Sequence, residues 1–134
     1  MDEQRIRESF AKQSMMATFG AEVVSVTKGE VVLRAPILPG SRQQMGFAHA
    51  ALSFALGDTA AGYAALTTLP EGQEVVTAEI KINLLSPAQG DYLIATGRVV
   101  KPGRRLVVVT AEVQAVTGDE RKDVAVLQGS MMPI

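Results

Sequence analysis

One stretch constrains this chain more than any other: Gly46-Phe47-Ala48-His49-Ala50-Ala51-Leu52-Ser53-Phe54-Ala55-Leu56-Gly57-Asp58-Thr59-Ala60-Ala61-Gly62-Tyr63-Ala64-Ala65-Leu66. From His49 to Leu66 there is no proline and every residue suits a helix, so the pattern predicts one of about 18 residues. Most of its positions are Ala, Ser or Gly, which lets other backbone approach closely, while Leu52, Phe54, Leu56 and Leu66 supply bulk. A helix apolar nearly all round is expected to be buried on most sides.

Asp58 is the anomaly. It is the only charge in the helix, at a mid-helix position where aspartate neither caps nor favours the structure. A buried carboxylate costs several kcal/mol unless it is paired, so two accounts stand. Asp58 is either a structural group bonded to a strand or a second subunit, or a general base or nucleophile tuned by burial. His49, the only histidine, is similarly either a hydrogen-bonded helix-start residue or a functional one. Nine positions separate it from Asp58, about 13 Å along a helix. The two therefore meet in one site only if two chains pair with helices antiparallel, as a two-fold dimer does.

A chain of 134 residues makes a single domain, 1–134. Net charge of −1 offers no basic excess for nucleic acid. The absence of cysteine excludes disulfides and thiolate metal sites and fits a reducing compartment, and one histidine excludes a His-rich metal cluster. The charged start and the lack of a long leucine-rich run lead to the expectation of a cytoplasmic protein without a signal peptide or membrane partner.

Along the chain, residues 2–14 suit a short amphipathic helix, followed by an apolar cap of Met15, Met16 and Phe19 that ends at Gly20. This segment either packs on the sheet edge or lids an apolar pocket with adaptable methionines. Strands are predicted at 22–26 and 30–35, at 75–85, and at 91–101, 105–116 and 123–132, with turns at Gly29, Pro102-Gly103 and Gly118-Asp119. In the 75–85 strand, Thr77, Glu79, Lys81 and Asn83 alternate with Ala78, Ile80, Ile82 and Leu84, a half-buried pattern. The whole predicts an α+β fold: a curved antiparallel sheet, in a meander after the helix, wrapped round that helix.

The pattern Gln43-x-x-Gly46-x-x-His49-Ala-Ala-x6-Asp58-Thr-Ala-x-Gly62, continued through Val76 to Ala88, resembles the N/Q-x-x-G-x-x-H-G-G-x6-D-x-A-x-G segment of hotdog-fold acyl-CoA thioesterases of the phenylacetate-pathway (PaaI-like) type. The likeness runs through nearly the whole chain in order and spacing. It implies the hotdog fold, hydrolysis of an acyl-CoA thioester, and a homodimer that pairs again into a dimer of dimers. No cofactor is implied, since coenzyme A belongs to the substrate. One departure stands out: the usual Gly-Gly after the histidine is Ala50-Ala51 here.

Thioester hydrolysis needs an activated water or nucleophile and donors for a developing oxyanion. Free N–H groups at a helix N-terminus suit the second task, so Ala50 and Ala51 are the candidates. Asp58 of the facing subunit is the candidate base, or a nucleophile forming a mixed anhydride. The resemblance assigns Thr77 a hydroxyl that assists the carboxylate, Gln43 an extra polar group near the thioester, and His49 an orienting role. Because Thr77 falls on the polar face of its strand, it is expected to reach the site only near a subunit boundary. Lys101, Arg104 and Arg105 cluster at a hairpin, and with Arg42 they are candidates for the phosphates of coenzyme A. The alternative is a hotdog protein that binds acyl-CoA or another apolar ligand without turning it over. Four phenylalanines and two tyrosines favour an aliphatic over a stacked aryl group.

Overall fold

A computed structural model describes residues 2–134. Helix α1 (Glu3–Ala11) starts where the Asp2 carboxylate accepts the Gln4 and Arg5 N–H groups. The helix expected over 2–14 is divided, because Gln13 is extended and a second helix, α2 (Ser14–Phe19), begins after it. Gly20, at φ +69°, closes α2 in a left-handed cap that other residues resist. Strands β1 (Glu22–Thr27) and β2 (Glu30–Pro36) form a hairpin about Gly29, and a single 3-10 turn (Pro39–Ser41) leads towards the central helix α3 (Ala50–Leu66). Strands β3 (Val75–Leu84), β4 (Tyr92–Lys101), β5 (Val107–Thr117) and β6 (Glu120–Pro133) complete the chain. Strand β5 begins two residues later than its valine-rich pattern predicts, since Arg104 and Arg105 belong to the exposed turn.

The six strands form one antiparallel sheet in the order β1-β2-β4-β5-β6-β3. The α+β architecture is as expected, but the meander is not complete. Strand β3 crosses to the far edge and pairs with β6, leaving β4, β5 and β6 as the consecutive run. Its outer backbone edge is unpaired among the described residues.

Helix α3 lies against the sheet so closely that the small residues of both are required. A Cβ on Gly97 of β4 would stand 2.3 Å from the Ala60 carbonyl carbon. Leu52, Leu56 and Leu66 of the helix, with Leu33, Leu93, Val109 and Val113 of the sheet, are fully buried there. The prediction of a helix buried on most sides needs correction, because the sheet covers only part of its circumference. Ala50, Ala51 and Phe54 are exposed and Ala55, Asp58, Thr59 and Gly62 half-buried, an i, i+4 stripe turned away from the sheet.

The even alternation read along β3 also fails. Thr77 pairs with Met131 but Glu79 pairs with Ser130, so Ala78 is a bulge. An extra residue reverses the faces on either side of it. Thr77 therefore points with buried Met131 to the helix side, while Glu79, Lys81 and Asn83 point outwards. The β3 backbone bends tightly over Gly129, where a Cβ would be 2.3 Å from the Glu79 carbonyl oxygen. Only glycine fits at that crossing.

Candidate active site

The loop before α3 is built around its own polar groups. Gly46, at φ +88°, makes the turn predicted for it, and its N–H donates to the Gln43 carbonyl. The Gln43 side-chain oxygen accepts the N–H groups of Met45 and Phe47, so this face of the amide shapes the loop. The Arg42 guanidinium donates to the carbonyls of Gly46 (2.8 Å) and Ile37 (2.9 Å) and is thereby engaged as a staple. Two backbone bonds, Ala48 N–H to Ala88 and His49 N–H to Ser41, set the entry to the helix.

His49 is the N-cap of α3. Its Nδ1 accepts the Ala51 N–H at 2.9 Å, and the residue is exposed. The two donors proposed at the helix start thus differ. Ala51 N–H is engaged by the cap, whereas Ala50 N–H meets no acceptor among the described residues. A groove of about 460 Å³ opens beside it, walled largely by Met45, Phe47, Leu84, Leu85 and Pro87.

Asp58 lies two turns further along, about 12 Å from Ala50 by helix rise. It is half-buried rather than buried, because the stripe that carries it is open. The Thr77 hydroxyl donates to its Oδ1 at 2.7 Å and lies 3.3 Å from the Met131 sulfur. Thr77 was expected to reach the site only near a subunit boundary, yet the bulge at Ala78 turns it onto Asp58 of its own chain. The pair lines a pocket of about 200 Å³. Residues that the sequence reasoning passed over complete it: Ser9, Gln13, Tyr63 and Glu74. One signal for Tyr63 was available, since a phenol in an alanine-rich buried helix needs hydrogen-bond partners. Nothing local marked Ser9 or Gln13.

Within one chain the Asp58 pocket and the groove at Ala50 are separate cavities that share no lining residue. Lys101, Arg104 and Arg105 are exposed and form no ion pair among the described residues. Their turn lies at the Asp58 end of the sheet, because Thr77, Met131 and Val107 share one row across β3, β6 and β5. Two strand spacings, about 10 Å, separate Thr77 from Val107 along that row. No cluster of three or more metal-ligating side chains occurs among the described residues, and none of their helices is long and apolar enough to cross a membrane.

Residues 45–122, more than half of the chain and containing α3, its cap and β3, match the thioesterase superfamily. The chain belongs to that superfamily. A thioesterase family protein from Silicibacter pomeroyi has a closely similar structure, with a TM-score of 0.95, 39% identity and coverage of 98% of this chain and 96% of that one. A Bacillus halodurans protein solved with CoA is 29% identical, with a TM-score of 0.79 over 98% of this chain and 82% of that one. The 1,4-dihydroxy-2-naphthoyl-CoA hydrolase of Listeria monocytogenes is 29% identical over 90 residues, 67% of this chain and 73% of its own. The resemblance read from Gln43 to Gly62 is therefore one of descent as well as pattern, the fold is the hotdog, and this member of the superfamily is a thioester hydrolase.

Proposed function

We propose that this thioesterase hydrolyses a small or medium acyl- or aryl-CoA thioester to the free acid and CoA. One observation carries the reading: a carboxylate braced by the Thr77 hydroxyl opens into a pocket on the same helix whose first N–H, at Ala50, is unengaged. Neither half suffices alone. In a homodimer with antiparallel α3 helices, Ala50 of one protomer faces Asp58 of the other, which yields two equivalent sites. The open stripe of α3 and the free edge of β3 support that pairing, and the exposed Val76, Leu84 and Leu85 beside the edge favour its burial. A further pairing into a dimer of dimers belongs to the same proposal.

In the complete site the Ala50 N–H, with the helix dipole behind it, holds the thioester carbonyl oxygen as it becomes an oxyanion. Asp58 either takes the proton from an attacking water or attacks the carbonyl carbon itself. In each case addition to the carbonyl carbon gives a tetrahedral oxyanion, whose collapse breaks the C–S bond and releases the CoA thiolate, which takes up a proton. In the second case water then cleaves the acyl–Asp58 anhydride to the free acid and the carboxylate. Thr77 holds one carboxylate oxygen and leaves the other for this work. His49 caps the helix and orients the loop, and Gln43 offers its remaining NH₂ to the substrate. Lys101, Arg104 and Arg105 meet the phosphates of CoA, a ligand carried by the Bacillus halodurans relative.

The test is release of free thiol from a panel of acyl-CoAs by wild type and Asp58→Asn. Turnover of some member, with a loss of roughly a hundredfold or more in the variant, is expected. Equal rates in both proteins would remove Asp58 from the chemistry. Single-turnover hydrolysis in H₂¹⁸O that places label in the Asp58 carboxylate identifies a nucleophile, and rapid-quench detection of an acyl–Asp58 adduct covers the case in which water opens the anhydride at the acyl carbon.

A further inference from the structure

The polar end of the Asp58 pocket is built by a part of the chain that lies outside the superfamily segment. Residues 45–122 match the family, whereas Ser9 sits on α1 and Gln13 in the joint between α1 and α2. Four positions apart, they reach the same atom. Gln13 Nε2 donates to the Tyr63 hydroxyl at 2.8 Å, and Ser9 Oγ shares a hydrogen bond with it at 3.0 Å. Phe10 packs its ring on Tyr63 with centroids 6.2 Å apart, which fixes the phenol against the helix pair. Tyr63 itself is only 6% exposed.

This small network has hydrogen-bonding capacity left over. A phenol and a serine hydroxyl each carry one donor, and a Gln amide two donors and a carbonyl. The two bonds observed use one amide donor and one hydroxyl donor. The second hydroxyl proton, the second amide proton and the Gln13 carbonyl oxygen meet no partner among the described residues. All three side chains line the pocket that holds Asp58 and Thr77. Its far wall is thus a row of unused neutral donors and acceptors, and an alkyl group pressed against it would leave them desolvated and unpaired. Glu74 shares the lining with Asp58, so two acidic residues border one space of about 200 Å³. An acyl group ending in a negative charge would meet repulsion from both. The volume admits a short chain or a single ring, since a cavity of about 150 Å³ holds benzene.

We infer that Ser9, Gln13 and Tyr63 are the specificity determinants of this thioesterase, and that they select short acyl groups ending in an uncharged hydrogen-bonding group, such as a hydroxyl, over plain alkyl or anionic ones. The inference rests on the proposed thioesterase site and adds to it the chemistry of the acyl group. It also gives the N-terminal helices a role beyond packing on the sheet edge: they read the substrate.

The experiment compares kcat/KM for matched pairs, 3-hydroxybutyryl-CoA against butyryl-CoA and 4-hydroxybenzoyl-CoA against benzoyl-CoA, with succinyl-CoA as the anionic case. Wild type, Tyr63→Phe and Gln13→Met are assayed, and the readout is the ratio within each pair rather than the absolute rate. A site that hydrogen-bonds a substrate hydroxyl discriminates strongly against the analogue lacking it, less so where water still enters. The expected wild-type ratio is about tenfold or more in at least one pair, with succinyl-CoA the poorest substrate of its length. Both variants bring that ratio towards one. Two variants are used because one alone could disturb folding; Gln13→Met keeps the volume and leaves Tyr63 in place. A wild-type ratio near one, or a ratio unchanged in both variants, overturns the inference while turnover that still depends on Asp58 leaves the thioesterase reading standing. Absence of turnover with every member of the panel overturns both.

Discussion

Replacing Ala50 with proline isolates the donor assigned to the oxyanion. Ala50 is the first residue of α3, the one helical position where proline is well tolerated because its N–H has no intrahelical partner. The preceding residue must be extended when a proline follows, and His49 already is, at φ −62° and ψ 144°. No hydrogen bond among the described residues is lost, since the Ala50 N–H meets no acceptor there. The fold should therefore hold or gain slightly, by about 0.4–1 kcal/mol from the stiffer unfolded chain. Removing one oxyanion donor costs a hydrolase about 2.7–4 kcal/mol in the transition state, a loss of roughly 10²–10³ in kcat. Thiol release should fall by that factor in Ala50→Pro, with thermal unfolding unchanged or raised. Ala50→Gly, which keeps the N–H, should stay within about threefold of wild type by the same reasoning. A stable Ala50→Pro protein that turns over at the wild-type rate would refute the assignment and return attention to Ala51.

Other outcomes follow from the same geometry. Thr77→Val keeps the shape but removes the donor to Asp58, a hydrogen bond to a charged group worth about 1.5–3 kcal/mol, and water at a half-buried carboxylate lowers that to a roughly tenfold loss in kcat/KM. Thr77→Ser should retain most of the rate, and a Thr77→Val enzyme as fast as wild type would make the contact incidental. Gly97→Ala drives a methyl to 2.3 Å from helix backbone that cannot step aside, so chemical denaturation should show a loss of about 3 kcal/mol or more. Gly57→Ala meets the Leu127 side chain rather than backbone and, offset by about 1 kcal/mol of helix propensity, should lose far less. Changing Lys101, Arg104 and Arg105 together to alanine should raise KM for acyl-CoA at low salt and leave an acyl-pantetheine substrate unaffected; parallel changes with both substrates would detach the hairpin from the phosphates.

Much of the fold was legible because it is local. A proline-free run of small residues ends where its composition ends, and α3 spans Ala50–Leu66 as the pattern implies. Gly46 and Gly20 mark left-handed positions, and valine-rich runs separated by Gly-containing turns mark β4 to β6. Asp58 and His49 stood out by residue type and spacing, which are properties of the chain itself, and Gln43 through the resemblance to the family pattern.

What the chain could not state was how distant segments meet. Period-two counting placed Thr77 on the wrong face, because a bulge adds one residue without changing composition and is permitted by Gly129 on a different strand. The far-edge position of β3 depends on its pairing with β6, from Leu84 with Ala125 to Val75 with Pro133, and no local preference encodes a pairing. The open stripe of α3, and with it the half-burial of Asp58, follows from how far a six-stranded sheet curls round a helix. Ser9 and Gln13 join Tyr63 across about fifty positions, by contacts that exist only once α1 has docked. Sequence determined which groups with chemical capacity this protein carries, since that lies in covalent structure and local propensity. Tertiary structure decided which of them share a pocket, because strand pairing, bulges and helix docking balance contacts between residues that sequence keeps apart.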